Sequence, residues 1–145
     1  MKKIAALTFM AALLLSKAAV QAAQPAPAMA GQHAITGTWA WTLPGTSCTE
    51  TWQYRADGIR TSSSGAEMLQ SRYQIAAVPS LLGFYRLQET VTETNAKPDC
   101  AGDLHEVSDQ PDVRFIQFSP QRDRFIVCKE ESLQACFGPL VRREK

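Results

Sequence analysis

Glu50 is a candidate for a binding site, because it is an acidic residue in a segment of aromatic residues. Glu50 has the same parity as Trp52 and Tyr54 in an alternating segment. Alternate residues of a strand face the same side, so Glu50 points inward if Trp52 does. A buried carboxylate needs a partner, such as Arg72 or Arg86, or its pKa rises. Glu50 is therefore either a polar anchor for a ligand or a rim residue at the end of a strand.

Groups that could support catalysis are sparse. The two histidines are His33, in a segment rich in proline and alanine that we expect not to fold, and His105. No Gly-x-Ser-x-Gly motif occurs, so we predict no enzymatic activity. Asp99, Asp103 and Glu106 surround His105, but their spacing matches no zinc or calcium loop. We expect a solvated acidic loop, with no metal and no cofactor.

The N-terminal segment is typical of a secretory signal peptide. Lys2 and Lys3 precede an apolar run, Ile4 to Leu15, which is shorter than the roughly 20 residues that span a bilayer. Small residues favour cleavage after Ala22. No cysteine follows the run until Cys48, so we predict no lipid or membrane anchor. We expect a signal peptide at 1–22, a flexible linker at 23–34 and one folded domain at 35–143.

Charge excludes some partners. Removal of Lys2, Lys3 and Lys17 with the signal changes 15 basic and 14 acidic residues to 12 and 14, or a net charge of −2. A near-neutral chain with no basic stripe in its sequence argues against nucleic acid and gives no support for an anionic membrane as partner. The style of the signal predicts a periplasmic location, and we expect a monomer.

Four cysteines remain in the predicted mature chain. In an oxidising compartment an even number predicts two disulfides. Of the three possible pairings we favour Cys128 with Cys136, because they flank a short polar loop between two apolar strands, and Cys48 with Cys100 by elimination.

Period-two alternation dominates the rest of the chain. In Ile35 to Leu43, Trp39 and Trp41 share the apolar side with Ile35 and Leu43, which is the pattern of a half-buried strand. Turn signals such as Asp57-Gly58 separate further strands. We predict an all-β fold: a small antiparallel meander barrel of about eight strands, stapled by disulfides, with a sandwich or half-open barrel as the alternative. The other strands are expected at 48–55, 59–62, 67–77, 84–94, 113–118, 124–128 and 135–142.

Gly37-Thr38-Trp39 resembles the Gly-x-Trp signature of lipocalins and the wider calycin barrels. In that family the tryptophan closes the base of the barrel, and an arginine from the last strand lies across its ring. The resemblance implies a lipocalin-like barrel closed by Trp39 with Arg142 or Arg143.

A second resemblance lies in the segment Ser62 to Ala66. It is similar to the Ser-Gly-Ser-Gly-Ala-Lys-Tyr loop of periplasmic inhibitors of C-type lysozyme, although Glu67 and Met68 replace the basic and aromatic residues. The resemblance implies a partner-binding loop at Ser64 and Gly65. A plain Ser-Gly hairpin turn explains the same residues.

These observations favour a non-enzymatic, exported binding module for a small, partly apolar ligand. The alternative is an interaction protein of the envelope, of the lysozyme-inhibitor or immunity type, that acts through hairpin loops. An interior of about eight strands is either filled by its own side chains or holds one small ligand. The predicted ligand-binding residues are Trp41, Glu50, Trp52, Tyr54, Tyr73 and Tyr85.

Overall fold

The computed structural model describes residues 33–143 and shows a closed antiparallel barrel of eight strands in meander order. The predicted all-β barrel is confirmed. The predicted signal peptide and all but the last two residues of the predicted linker lie outside the described residues. The strands are β1 (Gly37–Thr42), β2 (Thr49–Tyr54), β3 (Ile59–Ser64), β4 (Glu67–Ile75), β5 (Tyr85–Thr94), β6 (Asp112–Phe118), β7 (Arg124–Cys128) and β8 (Cys136–Arg143).

Tight turns set the register of the first hairpins. The Asp57-Gly58 turn joins β2 to β3, and the Arg55 amide donates to the Ile59 carbonyl at 2.8 Å. The next turn is shorter than we predicted. Ser63 and Ser64 belong to β3, and Ser64 pairs with Glu67 across a two-residue turn. Gly65 supplies the positive φ of 57° that this tight connection requires.

Inward-facing residues of all strands fill the barrel. The most buried large side chains include Trp39, Tyr54, Phe125 and Leu87. The Trp39 and Phe125 rings meet edge to face, with their centroids 4.6 Å apart. Aromatic pairs favour this arrangement because the positive edge of one ring meets the negative face of the other.

The two ends of the barrel differ, and we name them here. The base carries the chain entry at residues 33–36 and the connections 55–58, 76–84 and 119–123. The top end carries the connections 43–48, 65–66, 95–111 and 129–135.

Trp39 and Arg142 meet toward the base, where β1 pairs with β8. The Arg142 guanidinium carbon lies 4.1 Å from the Trp39 ring centroid, and its Nη1 and Nη2 donate to the carbonyls of Thr36 at 3.0 Å and Ala34 at 2.6 Å. A Cβ at Gly37 would lie 2.6 Å from Arg142 Nη1, and Gly37 has a φ of +130°. A side chain there would therefore displace the guanidinium. Arg143 is exposed and has no part in this contact.

His33 belongs to the folded structure, although we predicted that it lies in a flexible linker. Its ring meets the Tyr85 ring edge to face, with centroids 5.0 Å apart, and its Nδ1 accepts a hydrogen bond from the Ile35 amide at 3.1 Å. Burial, and secondarily the nearby charge of Arg122, lower the pKa of His33. The prediction was wrong because the prolines and alanines before His33 are typical of a linker, and its contact with Tyr85 is not visible in the sequence.

Both predicted disulfides are confirmed. Cys48 bonds to Cys100 and Cys128 bonds to Cys136. Both bridges lie at the top end, where they tie the long connections to the barrel. Such bonds are typical of an oxidising, exported location.

Candidate functional site

A cluster of aromatic side chains lies inside the top end of the barrel. Trp41 of β1 and Trp52 of β2 are partly exposed, and Phe137 of β8 lies between them. The Phe137 ring centroid is 5.3 Å from that of Trp41 and 5.9 Å from that of Trp52. With Glu50, these residues form what we call the top cluster. They meet because β1 pairs with both β2 and β8 in the closed sheet.

Glu50 faces inward with Trp52, as the parity of β2 predicts. The Glu50 carboxylate accepts hydrogen bonds from Ser64 Oγ at 2.9 Å and from Trp52 Nε1 at 3.2 Å. Burial raises the pKa of Glu50 despite these donors, and nearby Asp99 adds to the increase. The arginine partners proposed from sequence were wrong, because the side chains of Arg72 and Arg86 are exposed on the outer face.

A buried polar group lies deeper in the barrel, below Trp52. The Arg60 guanidinium carbon lies 4.8 Å from the Trp52 ring centroid, and Arg60 Nε lies 2.9 Å from Glu89 Oε1. These two atoms are at ion-pair distance, but within residues 33–143 neither has a hydrogen bond of good geometry, and the Tyr54 hydroxyl also lacks one. Burial opposes the charge of Arg60, yet Glu89 and other neighbours keep the pKa of Arg60 raised.

The three tyrosines predicted as ligand contacts are distributed along the barrel. Tyr54 and Tyr73 are buried and meet edge to face, with centroids 4.9 Å apart. The Tyr73 hydroxyl donates to the Arg55 carbonyl at 2.6 Å. Tyr85 lies at the base, where its ring contacts Phe118. The structure therefore brings Trp41, Glu50 and Trp52 together and uses the tyrosines to fill the interior.

The predicted partner loop packs on one side against the segment at Asp99 and Cys100, while Gly65 at its tip is exposed. Ser64 is only 4% exposed, and its hydroxyl accepts a hydrogen bond from the Cys100 amide at 3.0 Å. A Cβ at Gly65 would lie 3.2 Å from backbone atoms of Asp99. The Cys48–Cys100 disulfide fixes this covering segment. Ser64 is therefore not presented to a partner.

Three groups at the top end could share a cation. Glu67, Asp99 and His105 place one donor atom each within 4.8 Å of one another, whereas Asp103 and Glu106, the other predicted acidic loop residues, lie outside this group. Glu67 is buried, and its Oε1 lies 2.8 Å from His105 Nδ1. At this distance the Glu67 and His105 side chains partner each other directly.

Two grooves lie on outer faces of the sheet. One crosses the polar outer surface of β2 to β4, and the other runs beside β4, β5 and residues 108–111. Of the six predicted ligand residues, only Tyr73 lines either groove. The top cluster lines neither groove.

Two residues of the barrel interior, Phe137 and Arg60, were not predicted as site residues. Phe137 lies in the predicted last strand, but it was not connected with Trp41 and Trp52. Arg60 shares the parity of Ser62 and Ser64, which face inward. Ser71 of β4 pairs with Arg60 and is also buried. These three small serines, Ser62, Ser64 and Ser71, leave space for a long side chain. That pattern was the available signal for Arg60.

The fold and the disulfides define the class of this protein as a disulfide-stapled, eight-stranded, up-and-down β-barrel. Comparison with models of known protein families, with curated proteins and with solved structures finds no match. No helix in the described part of the chain is long and apolar enough to cross a membrane.

Proposed function

We propose that this protein is an exported, periplasmic binding module of lipocalin-like type that holds a small, partly apolar ligand at the top end. The top cluster carries the proposal. Phe137, 37% exposed, lies between two tryptophans that are themselves partly exposed, and Glu50 adjoins them. Covering the exposed area of aromatic rings with an apolar group is favourable, because it removes apolar surface from water.

Glu50 supports selectivity within the same site. Its two hydrogen bonds fix the carboxylate beside Trp52. A ligand with a hydrogen-bond donor or a positive charge next to its apolar part would partner this carboxylate as it covers the rings. A purely apolar ligand would instead bury the carboxylate further, at a cost. We expect ligands with an amine or hydroxyl group to bind better than hydrocarbons of equal size.

The proposal is tested with N-phenyl-1-naphthylamine, a small apolar fluorophore that carries an amine. We expect saturable binding, quenching of tryptophan emission and about tenfold weaker binding by Phe137→Ala, because an aromatic contact is lost. Val141→Ala is the matched control. Val141 lies on the same strand and is 42% exposed, but it is on the outer face. Absence of saturable binding, or equal weakening in both variants, contradicts the proposal.

The alternative, an envelope interaction protein of the inhibitor type, has less support. Of its two predicted contacts, Ser64 is buried and only Gly65 is exposed. The inhibitor role is tested by measuring the activity of a C-type lysozyme mixed with an excess of this protein. Loss of lysozyme activity supports the alternative, and full activity excludes this inhibitor role.

A further inference from the structure

The base of the barrel displays an apolar loop. Within the connection from β4 to β5, Leu81 is fully exposed at 107%, Val78 is 73% exposed and Leu82 is 63% exposed. We call residues 78–82 the apolar loop.

The apolar loop has a defined conformation, so its exposure is a property of the fold. The Ser80 amide donates to the Phe84 carbonyl at 2.8 Å, and the Gly83 amide donates to the Ser80 carbonyl at 2.9 Å. Phe84 is only 4% exposed, and its buried ring anchors the end of the loop. Large side chains held outward in this way form an apolar patch, which commonly marks an interaction surface.

Three exposed arginines lie at the same end of the barrel as the apolar loop. Arg86 follows it in β5, Arg122 lies in the neighbouring 119–123 connection, and Arg143 ends β8 at the same end. All three are exposed. Among the described residues none of them has an ion-pair partner, whereas the base carboxylates Asp57 and Asp123 pair with Arg55 and Arg124. Over the described residues, the base therefore combines an apolar patch with arginines that have no ion-pair partner.

The opposite end carries negative charge. At the top end the basic groups are Lys97, Arg114, Lys129 and His105. The acidic residues there outnumber them: Glu50, Glu67, Glu93, Asp99, Asp103, Glu106, Asp109, Asp112, Glu130 and Glu131. The near-neutral net charge thus hides a separation of charge along the barrel axis. Near a negatively charged surface, this separation orients the molecule with its base toward that surface.

We propose that the base is a docking surface for an anionic lipid bilayer. Leu81, Leu82 and Val78 enter the boundary between headgroups and acyl chains, and Arg86, Arg122 and Arg143 lie against lipid phosphates. A second copy of the chain is a poorer occupant, because isologous pairing would bring the arginines of both copies together. The top cluster then faces the aqueous side, accessible to ligand.

Sedimentation of the mature chain with lipid vesicles tests this surface. We expect binding to vesicles of phosphatidylcholine and phosphatidylglycerol in equal parts, weaker binding to phosphatidylcholine alone, and a decrease with added salt. Leu81→Ser with Leu82→Ser should weaken binding to the anionic vesicles about tenfold. Arg122→Gln should weaken it less and reduce the salt dependence. All three residues are exposed, so the variants should fold.

Leu104→Ser with Leu133→Ser is the matched control. These leucines are 63% and 68% exposed but lie in top-end connections, so vesicle binding should not change. Equal losses in both double variants would overturn the proposal, as would the absence of vesicle binding. Sedimentation velocity without lipid gives a further arm. A dimer that the Leu81 and Leu82 substitutions abolish would assign the loop to self-association and refute lipid docking.

Discussion

At the residue scale, Glu50 shows how burial and hydrogen bonding oppose each other. Ser64 and Trp52 both donate to its carboxylate, which favours the charged form, but removal from water has the larger effect and raises its pKa. In the proposed ligand site Glu50 supports selectivity, because its carboxylate lies beside Trp52 and Glu50 pairs with Trp41 across β1 and β2.

Replacement of Glu50 by Gln should change the pH dependence of stability. Because the pKa of Glu50 is raised in the folded state, its stabilising contribution is present below the ordinary glutamate pKa of 4.5 and is lost as pH rises through the folded pKa. The variant lacks this loss. Urea unfolding from acid to neutral pH should therefore show its free energy of unfolding rising relative to the wild type. We expect a relative gain below about 1 kcal/mol, because water partly screens the group.

Glu93→Gln provides the control for this experiment. Glu93 is exposed on β5 and accepts a hydrogen bond from Gln70 at 2.8 Å. Its difference from the wild type should not follow the Glu50 trend. A pH-independent difference for Glu50→Gln would show that burial does not control this carboxylate.

At the scale of elements, the strands followed from alternation, while the long connections depend on disulfides. The Cys48–Cys100 bond closes a sequence separation of 52 residues, and the Cys128–Cys136 bond closes 8. The first bond also positions the Cys100 amide that donates to Ser64. Loss of this bond should therefore free the unfolded chain and also weaken the contacts of residues 95–111 with the top end of the barrel.

The two disulfides should differ in their contributions to stability. A cross-link that closes a longer loop removes more entropy from the unfolded chain, which gives about 4 kcal/mol for Cys48–Cys100 and about 2.5 kcal/mol for Cys128–Cys136. Replacing both cysteines of one bridge by alanine, followed by urea unfolding, measures each contribution. An equal or greater loss for the Cys128–Cys136 variant would contradict this order.

At the scale of the whole molecule, closure joins the first strand to the last. β1 and β8 pair from Thr38 with Arg143 to Ala40 with Val141, and Trp39 is fully buried beneath Arg142. A closed barrel leaves no unpaired sheet edge, so its stability depends on this seam.

Removal of the Trp39 ring should destabilise the barrel more than removal of the Trp41 ring two residues away. Trp39→Ala empties a fully buried position and should cost about 3–5 kcal/mol. Trp41→Ala removes a partly exposed ring and should cost less. Urea denaturation followed by circular dichroism compares the two variants. A larger loss for Trp41→Ala would mean that the top cluster, rather than the seam, stabilises the barrel.

Local patterns predicted much of this architecture. Alternation and short apolar runs between turns located the eight strands, Asp57-Gly58 located a hairpin, and cysteine positions favoured the disulfides that the structure shows. These features succeed because side-chain direction in a strand and turn preference are properties of neighbouring residues. The inward direction of Glu50 was predictable for the same reason.

Tertiary structure alone decided which distant residues meet. Phe137 reaches Trp41 because closure joins β8 to β1, and Arg60 finds Glu89 across the barrel interior. Ser64 is covered because a disulfide brings Cys100 over it. The sequence by itself determined strands and turns, since these depend on local chemistry. Partners and the separation of charge between the two ends depend on closure of the sheet in space.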